Sequence, residues 1–235
     1  MSEWWTYRLS SFLLFSARTY YRLFELYNAE VWPGHLVALG LGLALLVVAM
    51  RGGDRAARAA CTMLAACWLW VAWAFHLQRY ATINWAATWF AAAFAIEGML
   101  LLASGAFGAG WRIGARRGWG ENVGLGLLLF ALLVQPWIGV LLGRPWRQAE
   151  VFGLAPDPTT LATLGLLVLL RPVDETSGSR PKLTLAWILW PIPVLWCLVS
   201  GATLWTLQAI DALLMPCAAL LAVFAAWRAG VEGDR

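Results

Sequence analysis

The residues able to do chemistry are few, and most stand in apolar surroundings. Glu97 lies inside residues 84–106, a run that is otherwise almost wholly apolar. A charge at bilayer depth costs roughly 2.5–3.5 kcal/mol on insertion scales, so an intramembrane acid faces a partner, a cavity or a proton. Counted from Asn84 it is about 20 Å along a helix, past the middle of a bilayer core. Its chemistry would be to hold a proton or cation, or to serve as counter-ion to a bound group. The structural alternative is a neutral, hydrogen-bonded glutamic acid that ties helices together. Ala93, Ser104 and Gly105 fall near its helical face, at i−4, i+7 and i+8, so another helix can approach there. Gln135, next to Pro136, is the second polar candidate within an apolar run.

His35 and His76 are the only histidines. Two imidazoles on facing helices are the ligand type for haem or a metal. Two do not define a site, neither has a carboxylate at i+3 or i+4, and no metal site is assigned. The competing account is a pair of interfacial histidines satisfied by water or headgroups. With Asn84, Asp157 and Asp211 they make a candidate pocket on one membrane face, provided the chain crosses seven times. For each aspartate, the alternative is capping of a helix N-terminus, where the dipole favours a negative charge. No G-x-S-x-G, H-E-x-x-H, Walker or dinucleotide fingerprint is present, so no catalytic residue is assigned.

These groups need a scaffold, and the composition says what kind. Hydrophobic residues make up 61% and charged residues 13% of the 235, against roughly half and a quarter in a soluble domain. Lipid must therefore be the solvent for much of the surface. The apolar runs are continuous rather than alternating, which gives an all-α integral membrane protein and not an outer-membrane barrel. The net charge of +4 is spread over the ends of those runs, so no basic domain exists for nucleic acid. Cys61, Cys67, Cys197 and Cys217 lie in apolar runs without C-x-x-C spacing, as buried reduced thiols do. No cleavable signal peptide is expected, because the first apolar run follows Arg8, Arg18 and Arg22.

Residues 1–30 form the first domain-level segment. Ser16 is placed to cap a helix over 17–28, in which Tyr20, Leu23, Phe24 and Tyr27 make one stripe at i, i+3, i+4 and i+7. The pattern predicts an amphipathic helix in the membrane interface, with Trp4, Trp5 and Trp32 at headgroup level. A docking helix for a partner subunit is the functional alternative. Residues 31–235 form a multi-span domain of about seven transmembrane helices, at 31–50, 59–77, 84–106, 122–143, 151–170, 183–205 and 210–227. Gly40 and Gly42 offer a close-packing face. Pro136, Pro191, Pro193 and Pro216 interrupt their spans. Asp157-Pro158 reads as a helix start, and 171–182 is the most linker-like stretch.

Lysine and arginine set the orientation. With seven spans, the N-terminal segment and loops two, four and six carry 3, 1, 2 and 0; loops one, three and five and the tail carry 3, 3, 3 and 2. The N-terminus would then be outside. If 159–170 is re-entrant instead, six spans leave both termini inside, and the rule does not separate the cases. Seven is preferred because 151–170 together is long enough to cross.

Several phrases, taken in order, resemble a known family. They are M-S-E-W-W-T-Y-R-L-S-S-F-L-L-F-S with R-T-Y-Y-R-L-F-E-L-Y-N and V-W-P, then F-G-L-A-P-D-P-T-T, then P-V-L-W-C-L-V-S-G followed by Gln208-Ala209-Ile210-Asp211. The resemblance is to a family of uncharacterised bacterial multi-pass membrane proteins, a domain of unknown function, and it covers nearly the whole chain. That family tends to read P-C-P-T-T where this chain has Pro156-Asp157-Pro158-Thr159-Thr160, so whatever a cysteine does there is lacking here. The resemblance implies a multi-pass membrane protein and no mechanism.

Two functional classes follow. One is a non-catalytic accessory or assembly subunit of a larger complex in the bacterial inner membrane, with lipid and other membrane subunits as partners. The other is a small ion- or solute-transporting permease or channel that uses Glu97 and the proline kinks. An enzyme acting on lipid-soluble substrates comes third. A haem, pigment or quinone among the many tryptophans is a further reading that no motif selects.

Overall fold

The computed structural model describes residues 15–106, 110–114, 118–172 and 187–233. Trp4, Trp5, Arg116, Arg117, the linker-like residues from 173 onward and the start of the sixth apolar run lie outside them.

Helix α1 (Ala17–Val31) starts as its sequence predicts, with the Ser16 hydroxyl accepting from the Thr19 N–H at 3.2 Å. Its aromatic stripe is buried, but against protein. Phe24 and Tyr27 pack on Phe75, with ring centroids 5.0 and 5.6 Å away, and Tyr20 packs on Tyr80 at 5.9 Å. The stripe is thus spent on the end of the bundle.

Among the described residues, four helical paths are long and apolar enough to cross a membrane: Gly34–Arg51, Asp54–Thr82, Ala87–Ala106 and Trp119–Leu141. The first is α2 (Gly34–Arg51). The second is α3 (Asp54–Trp70), prolonged by a π-helical segment, Val71–Leu77. The third is α4 (Ala87–Ala106). The fourth runs from α5 (Trp119–Leu129) through a π-helical segment, Phe130–Val134, into α6 (Gln135–Leu141). Three further helices follow: α7 (Pro156–Leu169), α8 (Pro191–Thr206) and α9 (Leu214–Gly233).

The prolines act differently from the kinks expected of them. Pro191 and Pro193 open α8, and Pro216 stands in the first turn of α9. First-turn N–H groups have no intrahelical acceptor, so proline removes nothing there. Pro136 alone sits along a continuous helical path, directly after the backbone has widened into its π-helical turn.

One end of the bundle is tied by a small sheet. β1 (Trp111–Ile113) pairs antiparallel with β2 (Leu170–Pro172), and Ile113 also bridges to Gly53. The α2–α3 turn, the α4–α5 connection and the far end of α7 therefore meet. Arg171 reinforces this, with Nη2 2.8 Å from Oε1 of Glu121 at the head of α5. At the other end lie α1, the 144–155 connection and the α8–α9 turn. There Asn28 donates to the carbonyls of Arg147 and Ala149 at 2.9 Å each, and Arg144 pairs with Asp211 at 2.5 Å.

The buried centre is α7, all of whose 14 residues are buried. Its backbone meets α5 where both helices carry glycine: a Cβ at Gly124 would stand 2.8 Å from the Gly165 carbonyl. The surrounding helices turn large apolar residues outward, among them Val37, Leu43, Trp89, Met99 and Leu220. Of the two glycines expected to pack closely on α2, Gly42 meets Leu132 and Phe152, whereas Gly40 faces open space.

Candidate functional site

The head of α7 is built by a turn that brings the chain back into the bundle. Gly153 takes φ +76, a conformation that side chains disfavour, and its N–H donates to Thr159 Oγ1 at 3.0 Å. Pro156 and Pro158 fill the first turn of the helix, where no N–H is needed. Asp157 lies between them and is buried. Its carboxylate caps nothing on its own helix. Oδ1 accepts from the Trp196 indole N–H at 2.8 Å, and Oδ2 accepts from the Ser200 hydroxyl at 2.6 Å. Trp196 and Ser200 stand at i and i+4 of α8, one face of one helix.

Trp196 is also one wall of an aromatic box. Its ring lies 5.0 Å from His76, 5.0 Å from Phe94 and 5.4 Å from Phe90. His76 is wholly buried in that box, 4.5 Å from Phe94, and neither ring nitrogen has a hydrogen-bond partner. Tyr80 forms the next wall, with its hydroxyl toward Asn84 and Thr203. The Asn84 side-chain oxygen accepts from the Ala86 N–H at 3.0 Å and so organises the entry to α4.

Outward from Asp157 comes a charged rim. Glu150 is half-buried in the 144–155 connection. Burial, and then the neighbouring Asp157 carboxylate, push its carboxyl above the ordinary carboxylate range, and Arg144 opposes them. The Arg144 guanidinium pairs with Asp211 and lies 4.4 Å from the centroid of the Tyr21 ring.

Glu97 lies one helical turn beyond Phe94 on α4, further from the rim. It has no exposed surface, and neither carboxylate oxygen has a hydrogen-bond partner. It is directed into the bundle, near Cys61 of α3. The close helix approach expected beside it is present: a Cβ at Gly98 would meet Leu69, and one at Gly105 would meet Thr62 and the Arg58 carbonyl. Gln135 is buried after the π-helical turn with its Oε1 unpartnered.

Of the candidate pocket residues, His76, Asn84 and Asp157 are brought around Trp196 and Tyr80, and Asp211 reaches the same end through Arg144. His35 stands apart, its Nε2 3.3 Å from Asn28 Oδ1 and its ring 6.0 Å from Trp32. The two histidines have different neighbours and do not form a ligand pair. Among the described residues no three His, Cys, Asp or Glu side chains cluster as metal ligands. Sequence reasoning missed Arg144, Glu150, Tyr80, Trp196 and Ser200. The i, i+4 spacing of the last two was a usable signal; for the loop charges there was none.

Chemically, the arrangement places ionisable groups at three levels: Glu150 and Asp157 toward the rim, His76 in the aromatic box and Glu97 within the bundle. No curated protein and no solved structure matches the chain. A family of unknown function, DUF6064, matches residues 17–230, and the chain belongs to it. The M-S-E-W-W opening phrase lies ahead of the matched region.

Proposed function

We propose that this member of the DUF6064 family is a seven-crossing protein of the bacterial cytoplasmic membrane, a small permease that carries protons, alone or with a solute, through Glu97. The observation that carries this reading is the state of Glu97: wholly buried, turned inward, and without a hydrogen-bond partner for either oxygen. A glutamic acid retained to tie helices would be hydrogen-bonded to a neighbouring helix. An unpartnered one has its value in binding and releasing a proton.

The crossing number has its own support. The three connections gathered by β1 and β2 are those richest in Lys and Arg, as expected of a cytoplasmic face. α7 has only 14 residues, yet it joins the Arg144–Asp211 end to the sheet end, because β2 extends it. α1 then lies across the outer face. Protons would enter at Glu150 and Asp157, pass the imidazole of His76 and reach Glu97.

The test is proton uptake by liposomes holding the purified full chain, read with an internal pH dye under an imposed potassium diffusion potential. The expected result is flux above empty liposomes that falls at least tenfold in Glu97→Gln, with the variant's helicity and elution unchanged. Undiminished flux in that variant, or no flux in the parent, overturns the reading. A non-catalytic accessory or assembly subunit requires no ionisable group at 97. It would be inert in liposomes and migrate with partners on native electrophoresis.

A further inference from the structure

A cleft of about 760 Å³ opens between α1, α2 and α6, at the end of the bundle that carries α1. Its inner walls are apolar: Leu36 and Leu39 from α2, Leu132 and Leu133 from the π-helical segment before α6. Leu36 and Leu133 are 60% and 61% exposed, so the cleft is open toward the surface that hydrocarbon would cover. Its mouth is polar. Arg22, Glu25, Asn28, His35 and Arg147 surround it, with the Trp137 and Trp146 rings 5.3 Å apart beside them.

The charges at the mouth do not cancel. Arg22 is taken by Glu25, at 2.7 Å on the next turn of α1. Glu25 also feels the field of Arg147, but among the described residues Arg147 has no carboxylate within ion-pair distance. Its backbone is held at the mouth, because Asn28 donates to its carbonyl at 2.9 Å. Both Asn28 amide hydrogens are used on this strand of backbone, and Asn28 Oδ1 faces His35 Nε2. The other imidazole nitrogen, Nδ1, is buried and has no partner. With the Nε2–H turned to Asn28 Oδ1, that nitrogen is a bare acceptor, and the anion-binding group above the apolar trough is the Arg147 guanidinium. Guanidinium binds phosphate in a fixed, two-point geometry, and tryptophan belongs at headgroup level.

We infer that this cleft holds one anionic phospholipid, its phosphate at Arg147 and one acyl chain along Leu36, Leu39, Leu132 and Leu133. The site relies on the membrane placement proposed above but not on Glu97, so loss of the flux reading leaves it standing. A polar headgroup and an apolar chain are both needed to match a mouth and a trough of opposite character. A net positive mouth selects an anionic lipid over a zwitterionic one.

The experiment uses the full chain in detergent, titrated with dioleoyl phosphatidylglycerol or dioleoyl phosphatidylcholine. The melting temperature and the mass of the intact complex are read in parallel. Phosphatidylglycerol should bind saturably at one equivalent and raise the melting temperature; phosphatidylcholine should bind at least tenfold more weakly. Arg147→Gln should weaken phosphatidylglycerol about tenfold, the equivalent of one charge-assisted contact. Leu39→Trp, which fills the trough and leaves the mouth intact, should abolish the one-equivalent complex. Equal binding of the two lipids overturns the proposal, as does unchanged binding in both variants. Protection by inorganic phosphate alone, equal to that of the lipid, would make this a free-phosphate site and overturn it too.

Discussion

The Trp196 indole N–H donates to Asp157 Oδ1 at 2.8 Å, joining α8 to the head of the central helix α7. Ser200 holds the other carboxylate oxygen at 2.6 Å. Both donors are buried. Removing Asp157 leaves them unpaired, and each unmade bond to a charged group is worth roughly 1.5–3 kcal/mol. Asp157→Ala should therefore destabilise the purified protein by about 3 kcal/mol, and Trp196→Phe by roughly half of that. Because the two changes remove one shared bond, their double variant should cost less than the two added together. Thermal melts of the four proteins measure this, and an Asp157→Ala protein as stable as the parent would show the contact to be idle.

Two glycines should respond to alanine with opposite signs. A Cβ at Gly105 would stand 2.4 Å from Thr62 Oγ1 and 2.9 Å from the Arg58 carbonyl. The backbone contact cannot yield without parting α3 from α4. It would also disturb the Arg58 side chain, which caps α4 by donating to the Gly105 and Ala106 carbonyls at 3.0 Å each. Gly105→Ala should cost about 1–3 kcal/mol. Gly126, inside α5, has nothing within 4 Å of its Cβ position. There the gain in helix propensity is unopposed, and Gly126→Ala should stabilise by up to about 1 kcal/mol. Melting temperatures moving in the same direction for both would refute the packing argument.

How far the sequence carried depended on whether an element's surroundings differ from side to side. α1 was legible to its cap, because Ser16 and a four-residue stripe mark a helix with one sticky face. That the stripe faces Phe75 and Tyr80 rather than lipid was not legible, since both surfaces select the same residues. α7 was read as a short, ambiguous span. A helix enclosed on every side shows no periodicity, so only its start at Asp157-Pro158 was marked in the sequence. Glu97 stood out because an acid in an apolar run is rare. Arg144 and Glu150 did not, since single charges in a connection acquire meaning only when Asp211 and Asp157 are folded beside them. The prolines were misread for a positional reason: the helices begin at Pro191 and Leu214 rather than at 183 and 210, which turns an expected kink into a favourable first turn.

Glu97 offers a prediction that separates stability from use. Its buried, unpartnered carboxyl costs folding free energy on the order of 1–3 kcal/mol. Leucine occupies a similar volume without polar atoms. Glu97→Leu should raise the melting temperature of the detergent-solubilised protein while leaving it unable to move protons. A lower melting temperature would mean that the carboxyl is held by contacts the fold depends on.

The Glu150 carboxyl should make stability fall as pH rises. In the folded chain, burial and the Asp157 carboxylate hold it above its ordinary range, while in the unfolded chain it titrates near 4.5. Between those limits the folded state keeps a proton that the unfolded state has released, so raising the pH favours unfolding. The contribution is fully present below about 4.5 and is lost as pH climbs through the raised value. The facing groups are Asp157 on α7, Arg144 in the same connection and Asp211 before α9; the first and last oppose ionisation and Arg144 favours it. Tyr20 and Tyr21 of α1 add nothing in this window, because burial moves both hydroxyls further above neutrality. Melting temperatures of the parent should therefore decline from pH 5 into the neutral range, and Glu150→Gln should flatten most of that decline. An equally steep decline in the variant would assign the slope to other groups and remove Glu150 from the entry path to Glu97.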